Sequence, residues 1–405
     1  MKTSFNTIVI GGGQAGLSLS YHLSQQGVEH LVLERARVGE RWRTERWDSL
    51  RFQFPNRYVR LPGFDYDGDN PNDFMGSDGI VGVLERYANH IAAPIRCGVN
   101  VRSVERAVER KADAGFVVKT DEVEFQAANV VLATGPYQRT LVPAISAQLP
   151  VHIVQLTASS YTQPGTLPQG AVLVVGSGGS GVQIAEDLID AGRETYLCVG
   201  AHKRVPRRYK GRDIMDWWEE IGMTREPVED RPVGDHAPLL TGVSGGADVD
   251  LRALANKGGH LLGRLEGVED GALDVGNNLL NDIAIGDEAY DLTVGMIEEH
   301  LAQGGGSETS PRPMPTAPPL SVDIQTAGIS SVIWATGYGL DFSWVHCGEV
   351  DENGVPSHDR GVSPDAGLYY LGLPFLHSAR SSFFWGVGDD ASFIAEHLVS
   401  RGQGL

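Results

Sequence analysis

Apolar runs and glycines alternate along this chain in a pattern that repeats. An apolar run from Thr7 to Ile10 breaks at Gly11, and Leu17, Leu19 and Leu23 follow in a segment of helical length that stops near Gly27. A second apolar run, Leu31-Val32-Leu33, ends on Glu34. Continuous apolar runs of this length suit strands buried on both faces of a parallel sheet, so the opening reads as strand, helix, strand. The same succession returns about 165 residues later: an apolar run Ala171–Val175, a helix from Val182 to Ala191 stopped by Gly192, and a strand Thr195–Val199. Between the two, residues 77–93 carry helical spacing through Val81, Leu84, Tyr87, Ala88 and Ile91. Strand-like runs are expected at Pro94–Arg102, Phe116–Thr120 and Asn129–Ala133. Helices are expected around Trp217-Trp218, from Leu251, and over Asn278–Leu301. Residues 304–319 are rich in Gly, Ser and Pro and read as a linker. Strands at Ile329–Trp334 and Leu368–Leu373 and a helix at Ser392–Val399 close the chain.

Both strand–helix units carry glycines at telling positions. Gly11, Gly13 and Gly16 form G-x-G-x-x-G between the first strand and helix, and Glu34 ends the second strand 18 residues past Gly16. Glycines there let the backbone turn tightly and approach a pyrophosphate, the helix amino terminus supplies N–H donors, and the acid can accept from ribose hydroxyls. The alternative is a glycine-rich turn without a ligand. In the second unit Gly176, Gly178 and Gly181 repeat the pattern, with Ser180 beside them, but no acid ends the following strand. Basic residues follow instead, among them His202, Lys203, Arg204, Arg207 and Arg208. Arginine in that place accommodates a 2′-phosphate, so the second site reads as one for NADP, with a solvated basic loop as the alternative. Two strands end alike, in Ala133-Thr134-Gly135 and Ala335-Thr336-Gly337, where small residues permit close passage of a nucleotide or simply end a strand. The segment Gly39-Glu40-Arg41-Trp42 and the stretch Trp47–Asn56 lie near the first site. They would either wrap a flavin or pack on the first helix. Gly388-Asp389, near the last helix, offers an acid for a ribityl hydroxyl or for a helix cap.

Composition narrows the function classes. A formal net charge of −19 argues against nucleic acid or an anionic membrane as partner. Cys97, Cys198 and Cys347 are widely spaced and form no C-x-x-C, which points to a reducing, cytoplasmic setting. No apolar stretch is long enough to span a membrane. H-E-x-x-H and G-x-x-x-x-G-K-[ST] are absent, and the twelve histidines show no metal-ligand spacing, so no metal site is expected.

Two G-x-G-x-x-G units, each inside a βαβ, with paired A-T-G segments, resemble the class B flavin-dependent monooxygenases over nearly the whole chain. The resemblance implies FAD held through Gly11, Gly13, Gln14, Ala15, Gly16, Glu34, Arg35, Arg41, Trp42, Val101, Thr134, Gly135, Gly388 and Asp389. It implies NADPH held through Gly176, Gly178, Ser180, Gly181, Thr336 and Gly337, to which the charge pattern adds Arg204 and Arg207. Gln53, two residues before Pro55, stands where some members place an Asn near the flavin C4a and is the candidate catalytic donor. The family's pattern F-x-G-x-x-x-H-S-x-x-[Y/F] is altered here: in Val151–Tyr161 the Tyr is kept, while Phe, Gly, His and Ser have become Val151, Ile153, Thr157 and Ala158. The expectation is an α/β protein of two Rossmann-like domains. Residues 1–165 and 329–405 would form the FAD domain, and residues 166–328 an inserted NADPH domain. The implied activity is oxygenation of a small-molecule substrate with O2 through a flavin C4a-(hydro)peroxide. An NADPH:acceptor oxidoreductase or oxidase is the nearest alternative, and a flavin-binding regulatory protein is a non-enzymatic one. Trp217, Trp218, Phe383, Phe384 and Trp385 would line a substrate pocket or pack the core. A homo-oligomer is compatible with this reading.

Overall fold

The apolar run at the amino terminus forms the strand Ser4–Ile10 at the middle of a seven-stranded sheet. Ile8 and Val9 are fully buried, as a strand covered on both faces requires. The computed structural model describes residues 2–107, 115–227, 237–302, 313 and 317–403. Most of the Gly/Pro-rich linker expected at 304–319 lies outside them. On one side Ser4–Ile10 pairs in parallel with His30–Leu33, which pairs with Ile95–Arg96. On the other it pairs in parallel with Glu124–Leu132. The far edge of that long strand is shared. Its first half pairs antiparallel with Phe116–Thr120, and its last residues pair in parallel with Leu368–Tyr370. The helices Gln14–Gln25 and Val387–Gln403 pack on each other and on this sheet.

The second sheet is wholly parallel, with strand order His260–Leu262, Thr195–Cys198, Ala171–Val175, Ile329–Trp334, Val154–Thr157. A three-stranded antiparallel patch, Leu265–Glu269, Ala272–Val275 and Ser321–Asp323, packs beside it. Each lobe is therefore an α/β unit, the first on a mixed sheet with a parallel centre and the second on a parallel sheet, and the second is inserted in the first. The pairing moves both expected borders. Val154–Thr157 and Ile329–Trp334 belong to the second sheet, so cuts at 165 and 328 would each remove one of its strands. The chain crosses between lobes at Arg139–Thr140 and returns at Tyr338–Gly339, and these two short segments pair antiparallel with each other. The last helix begins at Val387, one turn earlier than its apolar pattern suggests.

Candidate functional site

The two glycine turns are built alike. Gly11 (φ +118°) lies where an added Cβ would sit 2.4 Å from the Ala133 carbonyl oxygen, and a Cβ on Gly16 would sit 2.0 Å from the Gly11 oxygen. In the second lobe Gly176 (φ +107°) stands 2.5 Å from the Ala335 oxygen by the same measure, and Gly181 1.8 Å from the Gly176 oxygen. These four glycines are fixed by backbone approaching backbone. The middle glycines differ. A Cβ added to Gly13 or Gly178 would meet nothing within 4 Å. Those open positions, at the amino termini of Gln14–Gln25 and Gly179–Asp190, are where a pyrophosphate could lie against N–H donors.

Around the first turn, Glu34 Oε2 accepts from Gly12 N at 2.8 Å and Oε1 from Ala36 N at 3.0 Å. The carboxylate is thus held at the rim, half-buried, with acceptor capacity left for a ribose. Gln14 Nε2 donates to the Ser382 carbonyl at 3.2 Å. Gly372 (φ +77°) ends the Leu368–Tyr370 strand with its Cα so close to Ala15 that a Cβ would lie 2.6 Å from the Ala15 Cβ. Gln138 Nε2 donates to Thr134 Oγ1 and to the Gly135 carbonyl, both at 2.9 Å. Thr336 Oγ1 donates to the Leu141 carbonyl, and Leu141 N to the Gly337 carbonyl at 3.0 Å. Both A-T-G segments therefore lie at the lobe crossing, each beside its own glycine turn. Arg41 pairs with Glu45 at 2.8 Å and donates to the Tyr137 carbonyl. Arg35 is exposed and reaches Glu45 at 3.4 Å. Trp42 packs edge-on against Phe52.

Other expected site residues lie elsewhere. Val101 opens the antiparallel strand Val101–Arg106, whereas Val99 N bonds the Glu34 carbonyl at 2.9 Å, so Val99 is the nearer backbone to the acid. Gly388 packs against Pro62, and exposed Asp389 pairs with Arg380. The carboxy-terminal residues that approach the first turn are Ser382, through its carbonyl, and Gly372, which its sequence context, Leu371-Gly372-Leu373, does not single out. Trp217, Trp218 and Phe384 are core residues, with Trp217 Nε1 donating to the Tyr209 carbonyl at 3.0 Å.

The two arginines expected at a 2′-phosphate are committed to carboxylates. Arg204 is buried, pairs with Asp250 at 3.3 Å and Asp287 at 3.2 Å, and stacks on Tyr290. Arg207 is 1% exposed. Its Nε donates to Asp213 Oδ2 at 2.9 Å, its Nη1 to the Gln53 carbonyl at 2.7 Å, and its plane covers Phe74. Burial holds its pKa below the ordinary arginine value, and Asp213 offsets only part of that. The Gln53 side chain faces the second turn, with Oε1 4.0 Å from where a Cβ on Gly179 would be.

The helix Ile214–Ile221 locks the lobes further. Asp216 accepts from Arg57 at 2.7 Å and from the Tyr58 hydroxyl at 2.8 Å, and Glu219 pairs with Arg60 at 3.0 Å.

Two α/β lobes, each with its own glycine turn at a helix amino terminus, define a protein of the two-dinucleotide-fold class. Residues 8–213 match the pyridine nucleotide-disulphide oxidoreductase family, and the chain belongs to that family. An uncharacterized CzcO-like oxidoreductase of Geobacillus kaustophilus is 31% identical over 99% of this chain and 100% of its own length. A probable indole-3-pyruvate monooxygenase of Arabidopsis thaliana, YUCCA1, is 28% identical over 90% of this chain and 84% of its own. Among solved structures, a flavin-containing monooxygenase from Stenotrophomonas maltophilia matches with a TM-score of 0.69 at 18% identity, covering 99% of both chains. A bacillithiol disulfide reductase from Staphylococcus aureus matches at 0.64 and 13% identity over 99% of each chain. These structures share the fold.

Proposed function

We propose that this chain is an FAD-dependent, NADPH-consuming monooxygenase that places one oxygen atom of O2 on a small-molecule substrate. The observation carrying the reading is the duplicated turn: Gly11 against Ala133 and Gly176 against Ala335, each with an open middle glycine at a helix amino terminus. The first turn, with Glu34 at its rim, fits FAD. The second, without an acid, fits a pyridine nucleotide. Gly13, Gln14, Ala15 and Gly16 would receive one pyrophosphate, and Gly178, Gly179, Ser180 and Gly181 the other. When bound, FAD would supply the redox chemistry, taking electrons from NADPH and delivering them to O2. The protein's part is to seat both nucleotides, hold the lobes in register through the Arg139–Thr140 and Tyr338–Gly339 crossing, and exclude water. The likeness to the monooxygenases named above supports the same reading.

Thiol chemistry, the activity printed for the bacillithiol reductase, has little support. Cys198 is buried in the strand Thr195–Cys198 with its thiol pushed up to about 12, and burial lifts the Cys347 thiol to about 11. Such thiols stay protonated at neutral pH. A second reading, NADPH oxidase or reductase, is favoured by one observation. Thr157 Oγ1 lies 3.0 Å from Ser159 Oγ and 3.2 Å from Ser160 Oγ, and Ala158 is buried, so this segment turns its few polar groups on itself.

Anaerobic reduction of the FAD-loaded protein by NADPH, then an oxygen pulse, tests both. Oxygenation of an amine, thioether, indole or carbonyl compound supports the first reading. Quantitative H2O2 with every acceptor tried supports the second. Absence of bound FAD overturns both.

A further inference from the structure

The stretch Trp47–Phe54 serves both lobes at once. Trp47 and Leu50 are buried in the second lobe's core, in a cluster with Val182, Ile184 and Ala185 of the second-turn helix. Phe52 and Phe54 are buried in the first lobe's core. Ser49 and Arg51 stand exposed among these anchors and line a cavity of about 380 Å³. Asp73 and Phe74 complete its first-lobe wall, and residues 242–245 supply the second-lobe wall. None of the lining residues belongs to either glycine turn. The two walls are pressed together at Gly242, where a Cβ would lie 2.2 Å from the Phe52 carbonyl oxygen and 2.7 Å from the Phe74 Cβ. Arg208 donates to the Gly245 and Gly246 carbonyls at 2.7 and 2.8 Å, and Val243 N donates to Thr241 Oγ1 at 3.0 Å. Ser244, held among them at φ +53° and ψ +37°, is exposed in the left-handed region that serine rarely adopts. On the first-lobe wall Asn56 N donates to the Asp73 carbonyl at 2.8 Å, and Arg207 backs the Phe74 ring at 4.6 Å. The backbone is thus fixed while the polar side chains are spare. Arg51 and Asp73 line one cavity without pairing with each other, and neither their charged groups nor the Ser49 and Ser244 hydroxyls bond to any described residue.

We infer that this cavity between the lobes binds a small zwitterion of the α-amino-acid class, with its carboxylate on Arg51 and its ammonium on Asp73. The Ser49 and Ser244 hydroxyls take the remaining polar atoms. The two charges select the class. A guanidinium presents a fork that matches a carboxylate, and the Asp73 carboxylate accepts from an ammonium. A simple anion would satisfy Arg51 and meet Asp73 as a like charge. A simple cation would do the reverse, and a neutral molecule would match neither charge. A molecule carrying both charges a few atoms apart satisfies both, and the space is at the small end of ligand sites. Because the walls come from different lobes, the ligand bridges them. Fixing the walls in advance lowers the ordering cost of binding.

The test uses the full, FAD-loaded chain and calorimetry against the standard L-amino acids, without NADPH. At least one should bind and raise the thermal unfolding midpoint. The methyl ester and the N-acetyl derivative of that amino acid should each bind roughly ten- to hundredfold more weakly, the worth of one charge-assisted hydrogen bond. Arg51→Gln should abolish the difference between acid and ester. Asp73→Asn should abolish the difference between free and acetylated amine. Both variants should keep the wild-type flavin content and ligand-free unfolding midpoint. Those crossed losses identify the two contacts, and a general disturbance of the surface would not produce them. If no amino acid binds at millimolar concentration, the assignment falls. It falls also if both variants keep the full discrimination, which places the bound molecule elsewhere. Inorganic phosphate that binds where no amino acid does, more weakly in Arg51→Gln and more tightly in Asp73→Asn, would replace the assignment with a simple anion site. None of these outcomes depends on NADPH or O2, so failure here is distinct from failure of the proposed function.

Discussion

Replacing Arg207 by Met gives a sharp test of the way the lobes are joined. The side chains of Arg207 and Asp213 are 2% and 7% exposed, and the two groups meet at 2.9 Å. Removing the guanidinium leaves a carboxylate inside the protein with only its cap to Met215 N, at 3.0 Å, still made. It also frees the Gln53 carbonyl. Breaking one side of a buried pair costs about 3–5 kcal/mol, because the abandoned charge remains desolvated. The companion Arg207→Met with Asp213→Asn removes both charges while the Asn oxygen keeps the helix cap. That variant should recover most of the loss and fall within about 2 kcal/mol of wild type.

Urea unfolding followed by tryptophan fluorescence measures the difference, since Trp217 and Trp218 are buried on the capped helix. A single variant within about 1 kcal/mol of wild type would refute the strut. So would selective loss of NADPH over NADH with an unchanged unfolding midpoint, which is the signature of a 2′-phosphate ligand.

The glycines of each turn should separate by role. Gly13→Val should abolish FAD retention and Gly178→Val should abolish reduction by NADPH with FAD retained, both with near-native unfolding midpoints. Gly11→Ala and Gly176→Ala, which force a Cβ to within 2.4 and 2.5 Å of carbonyl oxygens, should instead fail to accumulate as folded protein in expression and far-UV assays. Arg204→Gln should lower the thermal midpoint by leaving Arg252 as the partner that Asp250 and Asp287 share, and shift the NADPH-to-NADH ratio of flavin reduction by no more than about twofold. His22, His30, His202 and His358 are all held below the ordinary histidine value, chiefly by burial. The unfolded chain then binds more protons below about pH 6.5, so stability is full above that value and falls as pH drops, by up to about 1.4 kcal/mol per unit for each histidine. His30, which bonds Ser20 Oγ at 2.8 Å and the Val28 carbonyl at 2.9 Å, is the cleanest to test. Urea midpoints between pH 7.5 and 5.5 should fall less steeply in His30→Gln than in wild type, and equal slopes would refute the assignment.

What sequence reading recovered and what it missed divide along the distance over which the determining contact acts. The strands Phe116–Thr120 and Ile329–Trp334 and the two glycine turns follow from neighbouring residues, and pattern alone places them. The edge strand Val154–Thr157 carries no such pattern, because Val154 is exposed and Val151 fully so, and with it went the lobe border. Arg204 and Arg207 read as ligands because a run of basic residues says nothing of the acids that will meet it. Asp213 lies close by, but Asp250 and Asp287 arrive from helices much further along the chain. Gly372 was invisible for the same reason: its approach to Ala15 joins the two ends of the molecule. Phe52 and Phe54 alternate with Gln53, yet nothing local says that Trp47 and Leu50 will enter a different core.

The altered segment Val151–Tyr161 can be divided by the same reasoning. Tyr161, the one position of the pattern that is kept, is 1% exposed and donates to Asp187 Oδ2 at 2.6 Å on the second-turn helix. Burial and the Asp187 carboxylate both push its pKa upward, so it remains a neutral donor at any working pH. It bolts the edge strand to the helix whose amino terminus forms the second turn, a task the fold imposes whatever chemistry follows. Thr157 has no such task. Its backbone pairs with Trp334, and its hydroxyl stays among Ser159 and Ser160. Any residue compatible with a strand end would satisfy the sheet there. The fold therefore constrains the tyrosine and leaves Thr157 free to vary with the reaction. A difference in oxygen chemistry between this chain and its relatives should trace to Thr157 and its neighbour Ala158, and exchanging Thr157 for His should change H2O2 yield per NADPH at an unchanged unfolding midpoint. An unchanged yield would place the control of oxygen outside this segment, and a lowered midpoint would show that the strand end is less tolerant than its contacts imply.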